Sequence, residues 1–319
     1  MMKIKVENFG REFTLGIVLI VLVSFVQFIN HSFISVRTLN VILENSAVIL
    51  PSAIGTTLVI IAGQIDLSVG SIFAVSAITS AQLALKGVPM FLVILWSIGI
   101  GAILGFLNGV ITVTFRIPAM IVTLASMTIW RGFILWWTKG YWITDLPDGW
   151  KALGSTRILN LTLPIWIAFS LGILMIFLVR NLRIFRYVYA VGSNRKAADL
   201  IGIARWKILL FILSLNGALA GFSGLLSGSR FFLIPSNIGT GLELSVIAAA
   251  VIGGTNIMGG RGRIEGTIIG VILMTTISSS LVFLNIDSTW DSAFKGLLIL
   301  LAIIFDVLRK KLRRGESMG

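Results

Sequence analysis

Apolar runs close to the length of a bilayer crossing recur ten times along this chain, at 13–29, 41–62, 69–85, 89–114, 119–138, 161–179, 208–228, 242–257, 264–284 and 293–308. A hydrocarbon core about 30 Å thick takes about 20 helical residues to span. The runs are continuous rather than alternating, which excludes an outer-membrane β-barrel. Only 12% of the 319 residues are charged, against 56% hydrophobic. A soluble domain carries about 25% charged residues, so most of this surface must face lipid. The expected fold class is an all-α integral membrane protein of about ten transmembrane helices. It forms one domain over 1–319, with short tails at 1–12 and 309–319.

The formal charge of +13 suits either nucleic acid or a membrane, and the positions of the cations decide between them. With the N-terminus inside, 18 of the 26 Lys and Arg fall in cytoplasmic segments. Among them are Lys3, Lys5 and Arg11, Arg116, seven cations between Arg180 and Lys207, and the tail from Arg309 to Arg314. Seven fall outside, and Arg131 lies within a run. Positive loops mark the cytoplasmic side. An even number of crossings with both termini cytoplasmic fits this asymmetry, and nucleic acid is not an expected partner. The first run lacks a small-residue cleavage site and is expected to be retained.

What is missing narrows the chemistry. There is no cysteine and only one histidine, His31, so thiol catalysis, Cys-ligated metals and multi-His metal sites are excluded. No G-x-x-x-x-G-K-[ST] loop is present, so nucleotide is not hydrolysed by that route. Energy for any transport must come from an ion gradient or from a partner. Paired catalytic carboxylates and histidine clusters are absent, which disfavours an enzyme. No resident metal or cofactor is expected.

Four constellations carry the remaining information. The first, Gly63-Gln64-Ile65-Asp66-Leu67-Ser68-Val69-Gly70-Ser71, joins the second and third runs. Asp66 and Ser68 are good helix N-cap types, so the segment reads as a buried cap and turn, or as a gate in a translocation path. Gln64 belongs with it. The second, at 252–263, holds Gly253, Gly254, Gly259 and Gly260 around Asn256. Its spacing does not fit a dinucleotide fingerprint. Close helix packing and a hinge are its two readings, and Gly70 shares them.

The third constellation is the cytoplasmic stretch 189–207. Ser193 or Asn194 caps a short helix, and Ala197, Leu200, Ile201 and Ala204 share one face at helical spacing. Such a helix lies on lipid or docks into a partner's groove. The fourth is the set of charges at membrane depth: Glu44, Arg131, Glu243, Glu265 and Lys295. Arg131 is either an interfacial anchor beside Trp130, Trp136 and Trp137 or a donor to a polar solute. Asn108, Asn216 and Asn256 read as helix–helix glue or as pathway contacts. The tryptophans from Trp130 to Trp150 form an aromatic belt, or a mouth on which sugar rings stack.

Taken together, TLVIIAGQIDLSVGS at 57–71, GFLNG at 105–109, IPAMIVTL at 117–124, the segment 192–203 and IAAAVIGGTNIMGGRG at 247–262 resemble the ribose/galactose/autoinducer-2 class of ABC-importer permeases. The resemblance covers nearly the whole chain. One departure is Ala62-Gly63-Gln64, where many relatives carry Gly-Gly before Ile-Asp. Trp130-Arg131-Gly132, Trp137–Ile143 and Leu146-Pro147 look most like autoinducer-2 and rhamnose permeases.

The resemblance implies an inner-membrane permease dimer, made of two copies or of a pair of paralogues. An extracytoplasmic solute-binding protein would feed it, and separate ATPase subunits carrying ATP and Mg would drive it. It implies a coupling segment at 180–207, with Asn194, Ala197, Ala198, Leu200, Gly202 and Ile203 toward the ATPase and Ala198, Gly202 and Ile203 as its docking core. Gln64, Asp66, Asn108, Arg131 and Asn256 are the pathway or gate candidates. An ion-coupled secondary transporter is the competing expectation.

Overall fold

The computed structural model describes residues 2–231, 233–287 and 289–315, so the last four residues of the tail lie outside the described residues. Among the described residues, thirteen helices follow in chain order: α1 Met2–Ile29, α2 Val36–Ile61, α3 Val69–Leu85, α4 Met90–Thr114, α5 Ala119–Thr138, α6 Asp148–Ser155, α7 Leu163–Asn181, α8 Arg183–Ser193, α9 Arg195–Leu200, α10 Arg205–Arg230, α11 Leu242–Ile252, α12 Ile264–Phe283 and α13 Trp290–Gly315. Strands β1 Arg157–Ile158 and β2 Leu161–Thr162 pair antiparallel between α6 and α7. Leu159 and Asn160 turn that hairpin with φ of 52° and 64°, the positive values that a two-residue hairpin turn requires.

All ten apolar runs fall on helices, and the chain is an all-α membrane protein. Among the described residues, six helices are long and apolar enough to cross a membrane: α2, α4, α5, α7, α10 and α12. The run 242–257 is not one helix. At about 1.5 Å per residue, α11 is about 16 Å long, half a bilayer. It stops because Gly253 packs against the Gly266 carbonyl, where a Cβ would collide, and Gly254 turns with φ +103°. The helix α3, 17 residues long, is also short of a full crossing.

Helix α10 packs against α2, α3 and α4 at the centre. Its contact with α4 is backbone on backbone. Gly101 and Gly105 face Gly217 and Gly221 so closely that a Cβ on any of them would strike the partner helix. Ser97 Oγ donates to Gly221 O at 2.8 Å, and Ser214 Oγ donates to Ala102 O at 3.0 Å. Small residues let membrane helices approach this far, and serines add cross-helix bonds. Pro51 inside α2 cannot donate an amide. Beside it, the Ser52 amide donates out of the helix to Ser223 Oγ of α10 at 3.0 Å, a bond that ties the two helices together.

Candidate translocation site

The link between α2 and α3 turns at Gly63 (φ +72°) and runs back into the bundle. Asp66 at its tip is fully buried. Its Oδ1 accepts from the Ser68 amide at 2.8 Å and the Ser68 hydroxyl at 2.6 Å, and its Oδ2 accepts from Asn216 Nδ2 at 2.8 Å. Asn108 Nδ2 donates to Ser68 Oγ at 2.9 Å, and Ser126 Oγ donates to Asn108 Oδ1 at 2.5 Å. The Leu67 amide donates to Thr123 Oγ1 at 3.0 Å. Ser68, the N-cap of α3, makes no side-chain cap bond of its own; the Asp66 carboxylate instead holds Ser68 and, through it and Asn216, ties the start of α3 to α4, α5 and α10. No Lys or Arg pairs with it among the described residues. An unmade bond at such a buried group costs about 1–3 kcal/mol, which is why the network closes almost completely. The exception is Asn216 Oδ1, which has no partner and sits against Gly55.

A second break enters from the opposite end. Between α10 and α11 the chain exchanges backbone bonds with the α5–α6 link, Ile143 with Ile234, at 3.0 and 2.9 Å. Trp150 is fully buried beneath this bridge and donates to Gly228 O at 2.8 Å. Arg131 Nη1 donates to Ile238 O at 2.7 Å. At Gly70 the two breaks meet. A Cβ there would collide with Gly239 O at 2.6 Å and with the Glu243 carboxylate, and would lie 3.3 Å from Arg131 Nη2. The first turns of α3 and α11 thus converge beside one cation and one carboxylate, and Glu243 Oε2 is buried without a hydrogen bond.

At the other end of α5, where Arg116 lies, a glycine junction links three segments. The Gly260 amide donates to Ile61 O at 2.8 Å, Arg195 Nη2 to Gly63 O at 2.9 Å, and Tyr189 Oη to Gly262 O at 2.9 Å. Ser193 Oγ reaches Gly260 O at 3.4 Å. Gly192 lies against the Ile61 carbonyl, where a Cβ would not fit. Helix α9 starts on Asn194, whose Oδ1 accepts from the Ala197 amide at 3.1 Å. It ends before Gly202, at φ +78°. The stripe at helical spacing is broken, because Ala204 lies beyond the helix. Ala198 is buried in the core, whereas Leu200 and Ile201 are 87% and 73% exposed.

The pathway candidates therefore separate. Asp66 and Asn108 share one network, and Arg131 lies next to it through Gly70. Gln64 lies at the mouth of the first break, against the cytoplasmic-type loops. Asn256 shapes the turn after α11, its amide donating to Arg261 O at 2.9 Å and its Oδ1 accepting from the Met258 amide at 3.1 Å. Of the glycines, Gly70 and Gly253 serve close packing, and Gly254, Gly259 and Gly260 take positive φ in the turn. Sequence reasoning missed Thr123 and Ser126. Serines and threonines are common on membrane helices, and nothing local separates these two from the rest. The tryptophans divide as well: Trp150 is core, while Trp136 and Trp142 are exposed.

Residues 38–303 match the protein family described as branched-chain amino acid transport system / permease component. The autoinducer 2 import system permease protein LsrC of Salmonella typhi is 33% identical over 96% of this chain and 89% of its own length. The protein of the same name from Escherichia coli (strain K12 / DH10B) is 33% identical over 96% and 91%. That from Yersinia pseudotuberculosis is 36% identical over 93% and 85%. No solved structure matches.

Proposed function

Because this chain belongs to the branched-chain amino acid transport system permease family, we propose that it forms, with a second permease copy or paralogue, the membrane path of an importer for a small sugar-like solute of the autoinducer-2 type. It is a multi-pass plasma-membrane permease subunit of an ABC importer. The names of its relatives, autoinducer 2 import permeases, favour the solute class. The family description, which names amino acids, supplies the competing substrate. In this reading about ten helices cross or line the bilayer and both termini are cytoplasmic. The whole of 1–319 is one transmembrane domain. Lipid surrounds it, a solute-binding protein delivers from outside, and ATP and Mg²⁺ stay on separate ATPase subunits.

The observation that carries the mechanism is the glycine junction. Helices α8 and α9 are bonded to both inner turns, through Arg195 to Gly63 and through Tyr189 and Ser193 to the 260–262 turn. A partner that moves α9 pulls on the segments that end at Asp66 and at α11. Solute would then pass where Gly70, Gly239, Arg131 and Glu243 meet, once the Ile143–Ile234 bridge parts. Exposed Leu200 and Ile201 suit a partner's apolar groove, with Asn194, Ala197, Gly202 and Ile203 beside them. Buried Ala198 supports the helix from beneath.

Reconstitution with the ATPase and binding protein tests this. Leu200→Glu with Ile201→Glu, or Gly202→Glu, is expected to abolish solute uptake and leave ATP hydrolysis running uncoupled, with membrane insertion intact. Normal uptake in these variants overturns the docking assignment. Uptake by the chain alone, sensitive to an ionophore and indifferent to ATP, overturns the importer reading. Preferential uptake of leucine over sugar-like solutes overturns the substrate class.

A further inference from the structure

A cavity of ≈ 770 Å³ opens at the Arg116 end of α5, between the turn Gly63–Gln64–Ile65, the α4–α5 link and the start of α10. Three cations and one anion line it: Arg116, Arg195, Arg205 and Asp199. Outside the cavity, one carboxylate serves two of the arginines at this end. Arg180 and Arg263 both face Glu265. In the cavity, Asp199 reaches only Arg205, at 3.8 Å and half exposed. Arg195 is spent on the Gly63 carbonyl.

Arg116 makes no hydrogen bond or ion pair among the described residues. Its backbone nevertheless sits at φ +56°, a region unfavourable for a side chain of this size. Two long helices also begin on the cavity wall without a side-chain cap, α5 after Pro118 and α10 after Ala204. Free first-turn amides and the helix dipole add to the positive field of the arginines. An unpaired guanidinium beside two further arginines and open helix starts is the chemistry of phosphate recognition.

We propose that this cavity binds a phosphate-bearing anion. Occupancy bridges the first break at Gly63–Ile65, helix α9 and the α4–α5 link, three segments whose relative movement opens the path, and so restrains them. The phosphate has two sources: a soluble phosphate ester in the cytoplasm, or the headgroup of an anionic lipid reaching in past exposed Phe115 and Met120. The proposal takes the cytoplasmic placement of this end from the proposed function but does not depend on the transported solute.

Thermal unfolding of the purified full-length chain tests it without using transport. In uncharged detergent, ribose 5-phosphate is expected to raise the unfolding midpoint, while ribose and sodium chloride of matched ionic strength do not. Arg116→Gln is expected to weaken the apparent affinity about tenfold, and Arg205→Gln serves as a second variant should the first fail to fold. In nanodiscs, the lipid source predicts stabilisation by phosphatidylglycerol over phosphatidylcholine that Arg116→Gln loses. Either pattern supports the site and names its source. Stabilisation by neither probe, equal stabilisation of both variants, or an equal effect of sodium chloride overturns it. A chain that binds phosphate but moves no solute when reconstituted with the ATPase and binding protein would overturn the proposed function and leave this inference standing.

Discussion

The two inner turns of this protein are built by opposite means. The turn at 63–68 is held by side chains: Asp66 gathers Ser68 and Asn216, and Asn108 and Ser126 follow. The turn at 253–263 is held mainly by backbone, with the Asn256 amide on Arg261 O, the Gly260 amide on Ile61 O, and glycines at φ +103°, +89° and +74°, while the Asn256, Tyr189 and Ser193 side chains add bonds to its main chain. The first lies deep in the bundle, where each polar group must be answered and a carboxylate can answer several at once. The second lies at the edge, where close approach matters more than satisfying deep polar groups. Side-chain networks tolerate small geometric shifts but not the loss of a member. Glycine contacts tolerate the loss of a neighbouring side chain but not the gain of a methyl.

Asp66→Ala should therefore have the largest effect of any change here. It strips acceptors from Ser68 and Asn216 in the core, at about 3 kcal/mol or more, measured by denaturation in detergent. Asp66→Asn, which keeps one acceptor oxygen, should cost less. Equal losses would mean that the carboxylate is not the centre of the network.

Gly260→Ala comes next, at about 2 kcal/mol. The new methyl would meet the Ser193 Cα at 2.7 Å on a backbone at φ +74°. If instead Gly260→Ala were silent while Ser193→Ala destabilised, the second turn would be held by side chains like the first. Ser126→Ala at the rim of the network should cost about 1 kcal/mol, and a larger loss would move the centre toward Asn108.

The smallest effect at neutral pH is expected from Tyr189→Phe, about 0.5 kcal/mol for the bond to Gly262 O, since the ring itself is kept. Burial pushes the Tyr189 hydroxyl up to about 12; the charge of Glu265 adds to this and Arg263 opposes it. The folded state thus favours the neutral phenol. That contribution is complete below the ordinary value of 10.0 and is lost as pH rises through about 12. Wild-type protein should lose stability across this window more steeply than Tyr189→Phe. Parallel pH profiles would show that the phenol is not held at the junction.

Much of this was legible in the chain. Length and apolarity located every long helix, and Asp66, Ser68 and the glycine turn stood out because buried acids and glycine runs are rare in lipid. The sequence narrows the cap of α9 to Ser193 or Asn194, and the structure gives it to Asn194. The helix limits at α9 and α11 were less legible, because Gly202 and Gly254 stop helices that the apolar pattern would continue. Ala198 and Ala197 are alike in sequence, and only packing buries the first and exposes the second.

The sequence by itself determined that this chain lives in a membrane, where its helices run and which residue types could act, because transfer to lipid and backbone satisfaction are local demands that each segment must meet alone. Only the tertiary structure decided that Asp66 meets Asn216 across 150 residues of chain, that Arg131 and Glu243 face one glycine, and that Arg116 and Arg205 share a cavity. Those pairings depend on how five or more helices cross, and no segment carries that information singly.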